Sequence, residues 1–289
     1  MKRKLLILQE PGISPAKTRF AAAEILPGWK IEGGNQPNGH SALITVRRSV
    51  DREMLKSIPG GIVSVAFTGY DHIDIDSARE FGVAVCNVPG YSTRSVSELA
   101  FALTVKSLRD SRREYGIELS GKVVGILGTG EIGVRTAELF KAAGCKIIGW
   151  SRTERSEFPG DYVDLEELFS QSDILSVHLP LNSETRHFLN RKRLEMMKKG
   201  AVLVNTARGG IVDQNALTGL LQSGHLGGAA LDVTTPEPLP ENSVLRTIPG
   251  VIISPHMGYN TSEALQRRTE EALMNISAWQ RRERRNRVD

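Results

Sequence analysis

The order of apolar runs along the chain predicts a parallel sheet in the first third of the sequence. Short, mostly apolar runs of a length typical of buried strands alternate with segments whose composition favours helix. The strand-like runs are Leu5–Leu8, Leu43–Val46, Ile62–Phe67 and Val83–Val85, and the helical segments are Ala16–Leu26, Asp51–Ile58 and Ile75–Phe81. Strands that alternate with helices are typical of a parallel sheet covered on both faces, so an α/β domain is predicted here.

The same alternation continues after Gly121 and predicts a second parallel sheet. A strand-like run at Val123–Leu127 is followed by a glycine-rich turn, a helical segment and a second strand at Cys145–Trp150. Further strands are predicted at Ile174–Leu179, Ala201–Asn205, Gly227–Leu231 and Val251–Ser254, and further helices at Asp164–Phe169, Lys192–Lys199, Asp213–Gln222 and about Ser262–Gln280. A long helix to about Asp110 is predicted to start at Ser95, whose spacing to Glu98 is that of a capping box. The predicted fold class is α/β, with two Rossmann-like or flavodoxin-like parallel-sheet domains.

The glycine-rich turn is the strongest single motif. Gly128, Gly130 and Gly133 form the pattern G-x-G-x-x-G, with Glu131 and Ile132 at the start of the helix. Glycines in this pattern let the backbone approach a pyrophosphate at a helix N-terminus, and the motif requires a strand before it and a helix after it. Both are predicted here, so the turn indicates a dinucleotide site.

The end of the second strand of this unit indicates which dinucleotide is bound. A site for NAD has a carboxylate about 20 residues past the glycines, where it binds the ribose 2′-hydroxyl. Here the position is occupied by Ser151, Arg152 and Thr153, and no acid is present. An arginine with two hydroxyls suits a 2′-phosphate, which a carboxylate would repel. We therefore expect NADP(H) to be preferred, with NAD(H) as a possible second cofactor.

Composition and charge narrow the class of protein. The chain has 289 residues, of which 40% are hydrophobic, enough for two domains with cores. The net charge is +4, but five arginines against Glu283 and Asp289 in the last nine residues contribute +3. We therefore expect a solvated or frayed basic tail on a nearly neutral body, and no nucleic acid as a partner.

The cysteines and the length of the apolar runs indicate the cellular compartment of the protein. Cys86 and Cys145 lie in apolar runs without metal or redox spacing, so they are predicted to be buried thiols in a reducing compartment. The first apolar run is too short for a signal sequence, and no run approaches the roughly 20 residues of a membrane span. We expect a cytoplasmic protein with no membrane association and no metal site.

Three groups that could act together in catalysis follow late strands. Arg208 comes after Ala201–Asn205, Glu237 lies between two prolines, and His256 follows Val251–Ser254. Ligands of parallel sheets bind outside the carboxyl ends of strands, so all three are expected at the same crevice as the glycine-rich turn. Spacing alone leaves their roles open, because charged loop residues are ordinarily solvated. Five other histidines also compete: His40, His72, His178, His187 and His225.

Several segments in order carry a resemblance to a known family. LGTGEIG, VNTARGGIVD, GGAALDVTTPEP and SPHMGY resemble motifs of the D-isomer-specific 2-hydroxyacid dehydrogenases. The stretch TGYDHIDIDSAREFGVAVCNVPGYSTRSVSELA resembles the segment that links the two domains in that family. The similarity covers about residues 67–264 and is greatest to the glycerate dehydrogenase, or hydroxypyruvate and glyoxylate reductase, group.

The resemblance implies a role for each of the three strand-end groups. Arg208 matches the arginine that holds the carboxylate and carbonyl oxygen of the substrate, a task suited to a planar cation. His256 matches the general acid–base, which also contacts the substrate, and Glu237 matches the carboxylate that stabilises its imidazolium. Thr68 and Gly69 match a loop whose backbone N–H groups bind the substrate carboxylate.

The resemblance also implies cofactor contacts outside the glycine-rich turn. Asp232 matches a residue near the nicotinamide amide, and His178 and Pro180 match the loop beside the adenosine. Thr206 and Gly258 lie in the matching segments and are expected at the cofactor as well.

Domain boundaries and assembly follow from the same resemblance. In this family the last helix returns to complete the substrate domain. Residues 1–90 plus 262–289 are therefore expected to form the substrate domain, and residues 91–261 the dinucleotide-binding Rossmann domain, with a cleft between them. Family members are typically homodimers through the dinucleotide domain, and the long helix after Ser95 is the expected contact.

The predicted function is reduction of a small 2-keto acid to a D-2-hydroxy acid, or the reverse oxidation. Formate dehydrogenases carry glutamine at the position of Glu237 and are disfavoured. 3-Phosphoglycerate dehydrogenases are disfavoured because many carry a regulatory domain after the last helix. A phosphite-type dehydrogenase stays open because it can use a similar triad. A non-catalytic, dinucleotide-sensing protein like the corepressors of this fold also stays open, since these keep the three residues.

Overall fold

The computed structural model describes residues 3–12 and 14–289, and the chain divides into two compact units. Unit 1 comprises Met1–Ser92 and Asn260–Asp289, and unit 2 comprises Thr93–Tyr259. Within the described residues, unit 1 contains a five-stranded sheet and unit 2 a seven-stranded sheet, and the paired strands of both sheets are parallel. The predicted fold class, α/β with two parallel-sheet domains, is confirmed.

The elements follow one another in the alternating order that the sequence predicts. The strands are β1 (Lys4–Ile7), β2 (Lys30–Gly33), β3 (Ala42–Thr45), β4 (Ile62–Val65), β5 (Ala84–Cys86), β6 (Val123–Leu127), β7 (Lys146–Trp150), β8 (Asp161–Tyr162), β9 (Ile174–Val177), β10 (Val202–Asn205), β11 (Gly228–Leu231) and β12 (Val251–Ile253). The helices are α1 (Pro15–Ile25), α2 (Arg52–Lys56), α3 (Ile75–Glu80), α4 (Thr93–Leu108), α5 (Glu131–Ala142), α6 (Leu165–Gln171), α7 (Arg191–Glu195), α8 (Gln214–Gln222) and α9 (Ser262–Gln280). None of the helices in the described residues is long and apolar enough to cross a membrane.

Two strands, β2 and β8, are not predicted from the apolar pattern. β2 and β8 are the outermost strands on one side of their sheets, where a strand is covered less and needs fewer apolar residues. The start of α4 also differs from the prediction. The helix begins at Thr93, so Ser95 is a buried residue of its first turn and the predicted capping box is wrong.

In unit 1 the strand order is β2-β1-β3-β4-β5, and α9 packs against the sheet. The side chain of Ser64 on β4 donates a hydrogen bond to the carbonyl of Ala272 in α9, at 2.9 Å. Asn275 of α9 donates to the carbonyl of Asn87, also at 2.9 Å. These buried polar bonds attach the last helix to the sheet formed by the first 86 residues.

The basic tail is solvated at most of its arginines, as expected, but it is docked and not frayed. Val288 N–H donates to the carbonyl of Val85 at 2.9 Å, and the carboxylate of Asp289 accepts from the N–H of Val85 at 2.8 Å. Arg285 forms a 2.6 Å ion pair with Glu271 of α9. β5 is an edge strand whose outer backbone groups need partners, and the tail supplies them.

In unit 2 the strand order is β12-β11-β10-β9-β6-β7-β8. The chain leaves β6 toward β7 and β8 on one side and returns to β9 on the other, so the order reverses between β6 and β9. Leu127 and Val177, the last residues of these strands, are paired neighbours. The crevice outside this reversal is where open parallel sheets bind ligands.

Both cysteines are free and buried, as predicted. Burial raises the pKa of the Cys86 thiol to about 12 and that of the Cys145 thiol to about 11. Neither thiol is therefore ionised near neutral pH, and neither has the reactivity of a thiolate.

Candidate active site

The glycine-rich turn lies at the reversal point of the unit 2 sheet, directly after β6. Gly128 has a φ of 101°, and a Cβ there would lie 2.8 Å from the carbonyl oxygen of His178. A Cβ on Gly133 would lie 2.0 Å from the carbonyl oxygen of Gly128. A Cβ on Gly130, the N-cap of α5, would meet no atom within 4 Å. The turn is thus packed tightly on its inner side and open at the helix N-terminus, which Glu131 and Ile132 begin, as a pyrophosphate site requires.

The polar residues after β7 are exposed, and a carboxylate from another loop joins them. Ser151 is half-buried, and Arg152 and Thr153 are exposed. Nη1 of Arg152 lies 2.9 Å from Oε2 of Glu184, which belongs to the loop after β9. An acid therefore does lie at this edge, and the sequence offers no local signal for it because 32 residues separate the pair.

The loop after β9 begins with His178 and Pro180 and lies against the glycine-rich turn. The imidazole Nε2 of His178 lies 2.8 Å from the hydroxyl oxygen of Ser176. Burial lowers the pKa of His178 to about 3, so this imidazole is neutral at physiological pH. A histidine in this state is a poor candidate for the acid that donates a proton during turnover.

His256 and Glu237 are brought together by the loops after β12 and β11. Nδ1 of His256 lies 2.5 Å from Oε1 of Glu237, although 19 residues separate them in sequence. The histidine side chain is 17% exposed and the glutamate side chain 40% exposed. Because Glu237 engages Nδ1, the opposite ring nitrogen, Nε2, is the one that could exchange a proton with a bound substrate.

The backbone of His256 is in the left-handed region, with a φ of 54°, which L-residues rarely adopt. The buried carboxylate of Asp232 accepts hydrogen bonds from Met257 N–H at 2.7 Å and Gly258 N–H at 2.8 Å, and a third from the hydroxyl of Ser254. His256 N–H donates to the carbonyl of Asp232 at 2.9 Å. Asp232 and Gly258, predicted as cofactor contacts, thus take part in holding the histidine loop.

Arg208 follows β10 and immediately precedes a short 3-10 helix, Gly209–Ile211. The amide of the buried Asn205 side chain donates to the carbonyl of Arg208 at 3.0 Å, which fixes the backbone at this residue. Nη1 of Arg208 donates to the carbonyl of Ala207 at 2.7 Å. The guanidinium thus comes from the same carboxyl edge of the sheet as the loops that carry Glu237 and His256.

Thr206, which is also predicted to contact the cofactor, has a hydroxyl that could bind a ligand. Its Oγ1 is buried and, among the described residues, has no hydrogen-bond partner. A buried hydroxyl without a partner is costly unless a ligand or water satisfies it. Together with the open N-terminus of α5 after Gly130, this orphaned hydroxyl fits a bound dinucleotide.

The residues predicted to bind substrate from the other domain lie in unit 1. Thr68 and Gly69 follow β4, and the amide of Asn87 donates to the carbonyl of Thr68 at 2.9 Å. Arg47 follows β3 at the same edge of this sheet. Its guanidinium carbon lies 5.0 Å from the ring centroid of Phe67.

No cluster of histidine, cysteine, aspartate and glutamate in the described residues could hold a metal ion. Unit 2 instead combines a doubly wound sheet, a glycine-rich turn at its reversal point, and a histidine–carboxylate pair at its carboxyl edge. This combination defines the class of dinucleotide-dependent oxidoreductases.

Comparison with known proteins identifies the family. Residues 91–258 match the family described as D-isomer specific 2-hydroxyacid dehydrogenase, NAD binding domain. The chain belongs to the D-isomer specific 2-hydroxyacid dehydrogenases, and it is an oxidoreductase that uses a nicotinamide cofactor.

Individual relatives extend over most of the chain. A glyoxylate reductase of Aeropyrum pernix is 38% identical over 256 residues, which cover 80% of this chain and 76% of that protein. A hydroxypyruvate reductase of Thermotoga maritima is 39% identical over 224 residues, which cover 71% of this chain and 73% of that protein. Among solved structures, an acyclic imino acid reductase in complex with NADPH and D-arginine is 26% identical, with a TM-score of 0.85 over 99% of this chain and 100% of that chain.

Proposed function

We propose that this protein is an NADPH-preferring reductase that converts small 2-keto acids, such as glyoxylate and hydroxypyruvate, to 2-hydroxy acids with D specificity. The observation that carries the proposal is the 2.5 Å pair of His256 and Glu237 on the same sheet edge as Arg208. The similarity to a glyoxylate reductase and a hydroxypyruvate reductase supports the substrate class.

In this proposal His256 is the general acid. The bound nicotinamide supplies the hydride that reaches the carbonyl carbon. His256 Nε2 donates a proton to the carbonyl oxygen as negative charge develops there, and takes it back in the reverse direction. The 2.5 Å contact at Nδ1 keeps the ring oriented for this transfer.

Glu237 and Arg208 support the proton transfer electrostatically. Glu237 stabilises the positive charge that His256 carries while protonated, so that the acid is available before each turnover. Arg208 offers a planar, permanently charged fork that suits the carboxylate and the adjacent carbonyl oxygen of a 2-keto acid. A substrate without a carboxylate would lose this contact.

The cofactor preference rests on the edge after β7. Ser151, Arg152 and Thr153 supply a cation and two hydroxyls for a 2′-phosphate, and Arg152 is exposed enough to reach one. The solved reductase in complex with NADPH supports the use of this cofactor on the same fold. NADH is the weaker second cofactor in this proposal.

The remaining proposed cofactor contacts surround the reversal point of the sheet. The pyrophosphate is assigned to the backbone of Gly128, Gly130, Glu131, Ile132 and Gly133. The adenosine is assigned to the loop of His178 and Pro180, and the nicotinamide end to Thr206, Asp232 and Gly258. The orphaned hydroxyl of Thr206 supports its place among these contacts.

The two units take different roles in this proposal. Unit 2 binds the dinucleotide, and the backbone N–H groups of Thr68 and Gly69 in unit 1 are proposed ligands for a carboxylate. We also propose a homodimer through α4, whose residue Val105 is a partly exposed apolar side chain. Light scattering on the purified protein tests the assembly, and a monomeric mass would contradict it.

The substrate class is tested by ranking keto acids and identifying the product. Glyoxylate, hydroxypyruvate, pyruvate and 2-ketogluconate are compared by kcat/KM with saturating NADPH, and the glycerate formed from hydroxypyruvate is resolved by chiral chromatography. We expect glyoxylate or hydroxypyruvate to rank first and the glycerate to be the D form. L-glycerate, or a higher kcat/KM for the bulky 2-ketogluconate, would contradict the proposal.

A further inference from the structure

The carboxylate of Glu184 lies at the edge that the sequence assigns to the ribose 2′-phosphate. Oε2 of Glu184 is 2.9 Å from Nη1 of Arg152, and no other residue of the Ser151–Thr153 segment carries a charge. The arginine–glutamate pair is neutral, whereas the segment alone carries one positive charge. A neutral edge attracts a 2′-phosphate less than a cationic edge does.

The loop that carries Glu184 is held by a dense set of local hydrogen bonds. The Asn182 side-chain oxygen accepts from Glu184 N–H at 2.9 Å and from Thr185 N–H at 3.0 Å. The hydroxyl of Thr185 donates to the carbonyl of Pro180 at 2.6 Å. The backbone at Glu184 is therefore fixed next to Pro180, in the loop proposed to flank the adenosine.

The loop that carries Arg152 is attached to the glycine-rich turn. The hydroxyl oxygen of Tyr162 accepts from Arg155 N–H at 2.8 Å and lies 2.9 Å from Oγ1 of the buried Thr129. Thr129 is the second residue of the turn, so one phenol connects the pyrophosphate site to the segment after β7. The backbones on both sides of the ion pair are thus anchored to the proposed cofactor site.

The side chains of the pair are free to change partner, although their backbones are not. Arg152 is 70% exposed and Glu184 is 71% exposed. Exposed ion pairs contribute little to stability, so a bound phosphate can replace Glu184 as the partner of Arg152. When NADPH is bound, Glu184 remains close to the 2′-phosphate and repels it. When NADH is bound, Glu184 can accept a hydrogen bond from the 2′-hydroxyl.

We propose that Glu184 is a specificity-determining residue that lowers the preference for NADPH over NADH. The carboxylate competes with the 2′-phosphate for Arg152 and compensates for the acid that the Ser151–Thr153 segment lacks. The proposal rests on the proposed function of the Ser151–Thr153 segment as the ribose site. It predicts a reductase that accepts both cofactors, with a ratio set by two opposed side chains.

The test measures the dissociation constants of NADPH and NADH for the wild-type protein, Glu184→Gln and Glu195→Gln, by cofactor fluorescence. Glu195 is a matched control, since it forms an exposed 3.2 Å pair with Arg191 in the same unit. Removing the charge of Glu184 is expected to raise the ratio of the NADH constant to the NADPH constant by about threefold to tenfold, by the weak Coulomb interaction of exposed charges. Glu195→Gln is expected to leave the ratio unchanged.

An unchanged ratio in Glu184→Gln would overturn the proposal, as would an equal rise in Glu195→Gln. Arg152→Ala, measured in parallel, reports separately on the ribose site itself. If Arg152→Ala alters both constants equally, the proposed ribose site fails. If Arg152→Ala lowers the ratio and Glu184→Gln does not raise it, the ribose site stands and the role of Glu184 fails.

Discussion

The loop that carries His256 and the loop that carries Arg152 both follow strands of the same sheet, yet they hold their side chains differently. His256 has a left-handed backbone, a neighbouring carboxylate at 2.5 Å, and a loop fixed by the buried Asp232. Arg152 is 70% exposed, and Glu184 at 2.9 Å is equally exposed. One loop positions a side chain closely, whereas the other only restricts the backbone.

The difference matches the energetic demands of the two tasks. Proton transfer requires donor and acceptor within hydrogen-bond distance and contributes about a hundredfold to ten-thousandfold to the rate. Discrimination between two nicotinamide cofactors requires only a small difference in binding free energy, which exposed charges can supply. We therefore expect substitutions in the histidine loop to have larger effects than substitutions at the ribose edge.

The largest effect is expected for His256→Ala. Loss of the proposed acid should lower kcat by about a thousandfold or more, while the dissociation constant of NADPH changes by less than about twofold. Stopped-flow turnover and cofactor titration give the two quantities on the same preparation. Near-normal turnover would remove His256 as the acid–base.

A smaller loss is expected for Glu237→Gln, which keeps the shape of the side chain and removes its charge. His256 would lose the stabilisation of its protonated form, so kcat should fall by about tenfold to a hundredfold. The dissociation constant of NADPH, measured on the same preparation, distinguishes this role from simple misfolding, because it should change by less than about twofold. A near-normal kcat in Glu237→Gln would contradict the pairing.

Arg152→Ala tests the role of the exposed loop after β7. Removing a charge-assisted contact to phosphate should weaken NADPH binding by about tenfold and leave NADH within about twofold. Arg191→Ala is the matched control, because Arg191 forms an exposed pair with Glu195 on α7 of the same unit. Equal weakening of NADPH and NADH would contradict the assignment of a 2′-phosphate to Arg152.

The smallest effect concerns the stability of unit 2 and the titration of His178. The pKa of His178 is lowered from 6.5 to about 3 in the folded protein, so the unfolded chain binds the extra proton between these values. Stability is therefore lost as the pH falls below 6.5, by about 1.4 kcal/mol at pH 5.5. His178→Gln should lose that much less between pH 7.5 and 5.5 in thermal melts, and an equal loss in both proteins would contradict it.

Hydrophobic pattern predicts the interior of both sheets because buried parallel strands need continuous apolar runs. Runs such as Val123–Leu127 and Ile174–Val177 could be located for this reason. The same pattern does not detect β2, whose residues Lys30, Ile31, Glu32 and Gly33 contain one large apolar side chain. The docked tail also has a polar sequence, because its pairing with β5 uses backbone groups.

The candidate site also contains residues that the sequence predicts and one residue that it does not. The positions of Arg208, Glu237 and His256 could be predicted because each follows a strand end of one parallel sheet, and the structure brings Glu237 and His256 together. Glu184 could not be predicted, because its proximity to Arg152 depends on how two loops fold beside each other. The usual prediction of the carboxylate that binds the ribose considers only the loop after the second strand of the β-α-β unit. It cannot detect Glu184, which lies in the loop after β9.

The proposed enzymatic activity is tested most directly by following the oxidation of NADPH and of NADH by the purified protein, with glyoxylate and hydroxypyruvate as acceptors. We expect catalytic turnover with both cofactors and a higher kcat/KM for NADPH. Tight NADPH binding without turnover on either keto acid would contradict the enzymatic assignment and favour a dinucleotide sensor. Turnover with a clear preference for NADH would contradict the assignment of a 2′-phosphate site at Arg152.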